Sequence, residues 1–138
     1  MKKGLTLFFM MTVLSACYGQ QSENARLVGG RCEGCEAVFE YGDAELSPVD
    51  TLLDFNDDGP KLMLTGTIYQ PDGKTPAENV ILYIYHTDQG GIYPTRGDET
   101  GWARRHGYLR GWIKTGADGK YTFYTLKPGS YPSGNVAA

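Results

Sequence analysis

The sequence is short of the residues that most enzymes use for catalysis. It has only two histidines, His86 and His106, which lie far apart along the chain. It contains no glycine-rich phosphate loop, no Ser/His/Asp set and no cysteine in the setting of a nucleophile. The residues alone therefore support neither nucleotide binding nor nucleophilic catalysis. Taken singly, His86 is interpreted as a core residue at a strand end and His106 as a loop residue.

The sequence also lacks an apolar run long enough to span a membrane, which takes about 20 residues. The uncharged apolar run at residues 5–14 is about half that length and follows Lys2 and Lys3, a pattern typical of an export signal. It ends in Leu14-Ser15-Ala16-Cys17, which resembles the lipobox of bacterial lipoproteins, where the cysteine receives diacylglycerol. We therefore expect a signal peptide at residues 1–16, lipidation of Cys17 and an exported, membrane-anchored lipoprotein, periplasmic or on the cell surface. A simple secretory signal with a coincidental cysteine is the alternative.

Cysteine is scarce, with three residues in all. Once Cys17 is assigned to lipid, Cys32 and Cys35 remain as an even pair. In an oxidising compartment this C-x-x-C run predicts a local disulfide. A redox centre is disfavoured because Glu33 and Glu36 place negative charge beside both sulfurs, whereas a reactive thiolate needs positive charge nearby. A zinc site is disfavoured because no second C-x-x-C and no paired histidine occurs.

The chain has no strong excess of positive charge, and its net charge is −3. Residues 17–60 carry ten acidic and two basic side chains, whereas residues 61–138 carry six acidic and nine basic ones. The acidic segment argues against nucleic-acid binding. We expect three regions: the signal peptide at 1–16, an acidic tether with a C-x-x-C clasp at 17–60, and a partial β-sandwich domain at 61–138.

Two local patterns lie within the tether. The start Ser47-Pro48-Val49-Asp50 predicts a short helix over residues 47–55, because proline suits the first helical position and an acid suits the first turn. The run Asp54-x-Asn56-x-Asp58-Gly59 matches the first half of a calcium loop, but Thr65 stands where the bidentate glutamate belongs. An acidic turn is the preferred interpretation.

Abundant glycine and aromatic residues, 19 Gly and 12% Phe, Trp and Tyr, predict an all-β fold. We expect an antiparallel β-sandwich with strands at residues 62–69, 80–86, 108–115 and 120–126. The second strand is apolar at both alternating sets of positions, which predicts a central strand covered on both faces. The last two strands are expected to form a hairpin about Ala117-Asp118-Gly119. The long connection at residues 88–107 is expected to be a functional loop.

A series of motifs resembles the intradiol ring-cleavage dioxygenases, the family of protocatechuate and catechol dioxygenases, over residues 62–132. The motifs are Leu64-x-Gly66-x-Ile68, Gly73-Lys74-Thr75-Pro76-Ala77-Glu78-Asn79-Val80, His86-Thr87-Asp88, Gly91-Ile92-Tyr93, Leu109-Arg110-Gly111-Trp112, Asp118-Gly119-Lys120-Tyr121-Thr122-Phe123 and Lys127-Pro128-Gly129-Ser130-Tyr131-Pro132.

The resemblance implies a non-haem Fe(III) ion held by two tyrosines and two histidines, and cleavage of a small aromatic diol of the catechol type by O₂. Tyr93 and Tyr131 match the two tyrosine ligands. Fe(III) is a hard cation that stabilises phenolate over phenol, although a free tyrosine has a pKa of about 10. The resemblance further implies that Tyr93 stays on the metal, whereas Tyr131 leaves when the diol binds and acts in catalysis.

The sequence departs from the family in one respect. The family's two histidine ligands follow the Tyr-Pro motif, and neither His86 nor His106 matches them. We therefore expect this chain to be an N-terminal fragment that is inactive by itself. The alternative is a non-enzymatic transthyretin-like or carboxypeptidase-regulatory-like binding module on a surface lipoprotein, because such sandwiches share the Gly-x-Ile, Asp-Gly-Lys-Tyr-x-Phe and Pro-Gly-x-Tyr features. The sequence does not predict which aromatic substrate is used or the oligomeric state.

Overall fold

A computed structural model describes residues 26–30 and 32–132. The signal peptide predicted at residues 1–16 and the lipidation predicted at Cys17 lie outside the described residues. The described residues form five strands and two short helices: a 3₁₀ helix at Cys35–Phe39, β1 at Val49–Thr51, β2 at Lys61–Thr67, β3 at Ile81–Tyr85, α1 at Ala103–His106, β4 at Arg110–Lys114 and β5 at Lys120–Leu126. No helix in this part of the chain is long and apolar enough to cross a membrane.

The strands form two sheets, and the all-β prediction is confirmed. One sheet has the order β1-β5-β2 and the other pairs β3 with β4. The pairs β2/β5 and β3/β4 are antiparallel, whereas the short β1 runs parallel to β5. The sheets pack through a core of Leu52, Ile113 and Phe123, against which Leu82 and Ile84 lie partly buried. Phe123 and Ile113 have no exposed surface, so this small core connects both sheets.

Each predicted strand is present within a few residues of its expected bounds, but two predictions about their arrangement are wrong. β4 and β5 do not pair with each other, because β4 pairs with β3 and β5 with β1 and β2. The Asp118-Gly119 turn forms, with Lys120 N donating to Asp118 Oδ1 at 3.1 Å. Ile68 N also donates to Gly119 O at 2.8 Å. This bond extends the β2/β5 ladder to the turn. β5 therefore leaves the turn paired with β2 and not with β4.

The predicted central position of β3 is also wrong for the part of the chain that the structure describes, where β4 is its single partner. Both of its faces are nevertheless partly covered. Leu82 and Ile84 pack on the core, while Tyr83 and Tyr85 lie against aromatic rings from the long connection and β4.

The short helix predicted over residues 47–55 is absent, and β1 occupies its first part. Thr122 N donates to Pro48 O at 2.9 Å, and Leu52 N donates to Tyr124 O at 2.8 Å. The capping signals of this segment are weak local preferences, and pairing with β5 overrides them. The acidic segment therefore contributes a strand to the larger sheet.

Candidate functional site

Tyr93 is placed by a compact turn that follows β3. Asp88 organises this turn, because its Oδ1 accepts hydrogen bonds from Gly90 N at 2.8 Å and from Ile92 N at 3.1 Å. Asp88 N in turn donates to Ile92 O at 2.8 Å. These bonds reverse the chain within a few residues, so the position of Tyr93 is fixed relative to the end of β3.

Tyr131 is placed by the segment that follows β5, and this segment is joined directly to the Asp88 turn. Gly129 N donates to Asp88 O at 2.9 Å, and Thr87 Oγ1 donates to Gly129 O at 3.1 Å. A Cβ atom at Gly91, whose φ is +77°, would lie 1.9 Å from Ser130 O. Only glycine permits this approach, which brings the two segments into contact.

The two tyrosines that the resemblance singled out are brought together at this junction. Tyr93 Oη and Tyr131 Oη lie 2.6 Å apart, and the two rings meet edge to face with centroids 6.2 Å apart. Burial raises the pKa of Tyr93 above its ordinary value, and the hydrogen bond and charge interaction with Tyr131 raise it further. Tyr93 is therefore a phenol at neutral pH in the absence of a cation, and its partner Tyr131 is 39% exposed.

The oxygens of Tyr93 and Tyr131 form part of a ligand set that suits a hard cation. Two phenol oxygens converge at one point, and anionic oxygen donors are those that hard metal ions prefer. A bound Fe(III) would be held by Tyr93 Oη and Tyr131 Oη and would favour the phenolate form of each tyrosine. In the described residues no group of three or more His, Cys, Asp or Glu side chains is placed to hold a metal ion. The chain therefore fits two ligand positions, Tyr93 and Tyr131.

His86 is not at the tyrosine pair. Its Nδ1 lies 2.7 Å from Thr87 O, and its Nε2 lies 2.6 Å from Thr125 Oγ1. Thr125 Oγ1 donates to Asp54 Oδ1 at 2.8 Å. This network ties the acidic segment to β5, so His86 is a structural strand-end residue. Asp54, the first residue of the calcium-like pattern, is buried and turned towards β5.

His106, by contrast, lies in a small cleft that Tyr93 also lines. The cleft has a volume of about 170 Å³ and is lined by Glu33, Tyr85, Tyr93, Trp102, Arg105 and His106. The His106 ring stacks on Tyr85 with centroids 3.8 Å apart and an interplanar angle of 10°. Trp102 stacks on it with centroids 5.4 Å apart. We call this the aromatic cleft.

Polar groups fix the His106 ring in this stack. Tyr83 Oη lies 2.9 Å from His106 Nδ1. Burial lowers the pKa of His106, and the nearby charge of Arg110 lowers it further. Burial raises the pKa of Tyr83 to about 12. At neutral pH the His106 imidazole is therefore neutral, and the Tyr83 phenol beside it is protonated.

From the sequence, His106 is expected to be an ordinary loop residue, and nothing in the sequence motifs relates it to Tyr93. The available signal was the four-residue spacing of Trp102 and His106, which puts two rings on one face of a helical turn. It was weak, because α1 is only 4 residues long and lies inside the long connection.

The C-x-x-C cysteines are joined to each other. A disulfide links Cys32 and Cys35, whose Cα atoms are 5.5 Å apart. The turn between them reaches the aromatic cleft through Glu33.

Comparisons with known proteins bear on the chemistry of this site. A family model described as Dioxygenase matches residues 39–138, which include both tyrosines. Catechol 1,2-dioxygenase 1 of Acinetobacter lwoffii is 44% identical over 106 residues, covering 75% of this chain and 33% of that protein. The chain belongs to the intradiol dioxygenase family. The protocatechuate 3,4-dioxygenase beta chain of Burkholderia cepacia is 31% identical over 102 residues, covering 69% of this chain and 43% of that protein.

Two solved dioxygenase structures are similar to this chain. A catechol 1,2-dioxygenase from Acinetobacter sp. ADP1, inhibited by bound mercury, matches with a TM-score of 0.46 and 28% identity, covering 62% of this chain and 28% of that one. The dioxygenase domain of a dioxygenase and carbohydrate-binding protein fusion from Streptomyces sp. SirexAA-E matches with a TM-score of 0.49 and 31% identity, covering 74% of this chain and 56% of that one.

The chain thus spans about a third to two fifths of the length of the curated relatives it matches. Membership of the intradiol dioxygenase family explains the shared turn and strand motifs together with Tyr93 and Tyr131. The alternative of a transthyretin-like or carboxypeptidase-regulatory-like module accounts for the turn and strand motifs alone, so it is not the better supported interpretation.

Proposed function

We propose that this chain supplies the tyrosine half of a ferric site in a protein that opens catechol-type aromatic diols between the two hydroxylated carbons, using O₂. The observation that carries the proposal is the 2.6 Å approach of Tyr93 Oη and Tyr131 Oη, held by the bonds between the Asp88 turn and Gly129. Family membership supports the reaction class, because relatives are named as dioxygenases of catechol and protocatechuate.

The two tyrosines differ in a way that suits different roles. Tyr93 lines the aromatic cleft and is the less exposed of the pair, so we assign it as the ligand that stays in place. Tyr131 is 39% exposed, so we assign it as the ligand that leaves when the diol binds. Its oxygen is the one we assign to take up a proton from a diol hydroxyl.

When bound, Fe(III) would act as a Lewis acid that accepts the diol oxygens and makes the ring reactive towards O₂. The chain's own contribution is the position of the substrate. Tyr85, His106 and Trp102 place stacked aromatic rings in the lining of the aromatic cleft beside Tyr93, and a substrate ring packs favourably against aromatic side chains. A neutral His106 adds no positive charge there.

We also propose that the two histidine ligands expected for the family are supplied by polypeptide beyond this chain. The family resemblance implies two tyrosine and two histidine ligands, and this chain provides the two tyrosine oxygens but not the two neutral nitrogen donors. This chain by itself should therefore bind Fe(III) weakly and should not cleave catechol.

The test uses the longest polypeptide that the gene encodes. After loading with Fe(III) it should bind one iron per chain, absorb visible light through phenolate-to-iron charge transfer, and convert catechol to the ring-opened product with uptake of O₂. A protein that is colourless after ferric loading and leaves catechol intact would show that the sandwich is a binding or structural module.

We further propose that the protein is exported and held at a membrane by lipid on Cys17, on the basis of the n-region, the apolar run and the lipobox-like residues. Each buried methylene of an acyl chain contributes about 0.8 kcal/mol of membrane affinity. In detergent phase partitioning the wild-type protein should enter the detergent phase and a Cys17→Ala variant should not. Equal partitioning of the two would refute the anchor.

A further inference from the structure

The clasp, residues 32–35, forms part of the wall of the aromatic cleft. Gly34 has a φ of +80°, and a Cβ atom added there would lie 2.8 Å from His106 Nε2 and 3.2 Å from Trp102 Cε3. The clasp backbone therefore rests directly on the two rings that stack in the cleft. A side chain at this position would push the clasp off the wall.

The segment after the clasp is bonded to the same wall. Trp112 Nε1 donates to Ala37 O at 3.1 Å, and Ala37 is fully buried. The Glu40 carboxylate accepts from Trp102 N at 2.9 Å and from Arg110 Nη1 at 2.6 Å. Burial would raise the pKa of Glu40, but these hydrogen bonds and the Arg110 charge outweigh it and hold the pKa below its ordinary value. Glu40 is thus ionised at neutral pH.

The clasp segment also determines the charge at the cleft. Arg105 and Glu33 both line it, and they form an ion pair. Arg110, whose guanidinium lies over the Trp112 ring, is paired with Glu40. Each of these two arginines is therefore matched by a carboxylate from residues 33–40. Without Glu33 the cleft would carry the unbalanced positive charge of Arg105.

We propose that Glu33 is a specificity-determining residue, which makes this site select catechols that carry no carboxylate. The inference rests on the proposed function and assigns its substrate class. A substrate ring that binds beside Tyr93 and carries a carboxylate would be repelled by the Glu33 charge. Its carboxylate would pair with Arg105 only by displacing Glu33. A neutral catechol has neither penalty.

The expected size of the effect follows from the position of the ion pair at a solvent-exposed rim. The side chains of Arg105 and Glu33 are 64% and 69% exposed, so water and salt weaken their field. For one unit charge a few ångströms from a substrate carboxylate in such surroundings, we expect a change of about five- to tenfold in relative affinity.

The experiment uses the longest encoded polypeptide loaded with Fe(III). The measured quantity is kcat/KM for 3,4-dihydroxybenzoate divided by kcat/KM for catechol. Glu33→Gln should raise this ratio about five- to tenfold, because Arg105 is then available to the carboxylate. Glu36→Gln removes an acid from the same short segment that does not line the cleft, and it should leave the ratio unchanged.

A binding measurement separates affinity from turnover. Titration of each diol under anaerobic conditions, followed by the visible absorption band, should give the same shift in the ratio of dissociation constants. If the wild-type protein opens catechol but Glu33→Gln leaves both ratios unchanged, or if Glu36→Gln raises them equally, the charge selection is wrong while the dioxygenase proposal stands. A wild-type protein that opens neither diol would overturn the proposed function and this inference with it.

The disulfide provides a second, independent variant. Free-thiol titration of the exported, unreduced protein should find neither Cys32 nor Cys35 reactive. Replacing both by serine releases the turn that holds Glu33 at the rim, so the 3,4-dihydroxybenzoate to catechol ratio should move in the same direction as in Glu33→Gln. A double serine variant with a wild-type ratio would contradict the role of the clasp in placing Glu33.

Discussion

Thr87 Oγ1 donates a hydrogen bond of 3.1 Å to the carbonyl oxygen of Gly129, across 42 positions of sequence. Thr87 has no exposed surface. With the bond from Gly129 N to Asp88 O, it joins the segment that carries Tyr93 to the segment that carries Tyr131. The distance between the two tyrosine oxygens therefore depends on Thr87, which is not itself one of the proposed iron ligands.

The first prediction is that Thr87→Val weakens ferric binding without unfolding the protein. Valine keeps the shape of threonine but leaves the Gly129 carbonyl oxygen without this donor, which costs about 1–3 kcal/mol of stability when the group is buried. Outer residues that orient metal ligands typically change metal affinity by about 10–100-fold. Ferric affinity should be measured by competition with a chelator, and unfolding by urea titration.

Thr87→Ser is the matched control, because serine retains the hydroxyl and loses only a methyl group. It should bind Fe(III) close to the wild-type level. If Thr87→Val binds iron as tightly as Thr87→Ser does, the clamp between the two segments does not position the tyrosines.

The sequence predicted strands better than it predicted how they pair. The bounds of β5 were predicted correctly, because turn residues flank a run of alternating apolar side chains. The helix expected over residues 47–55 was wrong because its capping signals are local, whereas the bond from Thr122 N to Pro48 O joins distant positions. Such pairings have no signature within the segment itself. The hairpin of β4 and β5 was wrong for the same reason.

For the site, the motif resemblance identified Tyr93 and Tyr131, which the structure brings together. It did not identify the aromatic cleft, which depends on the contact of Gly34 with His106. Gly34 lies in the segment predicted to be a tether, and His106 lies in a short helix within the long connection between β3 and β4. Local periodicity carries no information about such a contact. Only the four-residue spacing of Trp102 and His106 hinted at a shared face.

The second prediction concerns the buried carboxylate of Asp54. It accepts hydrogen bonds from Thr125 Oγ1 at 2.8 Å and from Leu126 N at 3.3 Å, and the residue is 7% exposed. Asp54→Asn puts an NH₂ group against one of these donors, so the unfolding free energy should fall by about 1–3 kcal/mol. Asp58→Asn, at an exposed position of the same turn, should change it by less than about 0.5 kcal/mol. Equal effects in a urea titration would show that the Asp54 network does not hold the acidic segment in place.

The third prediction is a pH dependence of stability that comes from His106. Its pKa in the folded protein is lowered from 6.5 by burial, and then by Arg110 and Arg105 against the opposing charge of Glu40. The unfolded chain binds the proton more readily, so the stability from His106 is fully present above about pH 6.5 and is lost as the pH falls through the lowered value. The melting temperature should therefore decrease between pH 7.5 and pH 5.5, and His106→Gln should reduce that decrease.

The pH window separates this effect from that of the carboxylates. Glu40 also has a lowered pKa, but its contribution is lost only as the pH falls below its ordinary value of 4.5. Melting curves at constant ionic strength between pH 5.5 and pH 7.5 therefore report mainly on the histidine. A His106→Gln variant whose melting temperature follows pH as steeply as the wild type would contradict the assignment.

The fourth prediction distinguishes the two tyrosines of the pair in the iron-loaded, longest encoded polypeptide. Tyr93→Phe removes the donor that we assign to remain in place, so the protein should lose most of its iron and its visible colour together. Tyr131→Phe should retain iron with a shifted absorption band and slower turnover, by about 100-fold if Tyr131 Oη takes up a substrate proton.

Tyr69→Phe is the control variant, because it removes a hydroxyl from an exposed tyrosine in a different part of the fold. It should leave iron content, colour and rate unchanged. Iron content by metal analysis, the visible spectrum and O₂ uptake with catechol are measured on all three variants. If both Tyr93→Phe and Tyr131→Phe keep full activity, the 2.6 Å contact between the two hydroxyls is a structural hydrogen bond, and the ferric site lies elsewhere.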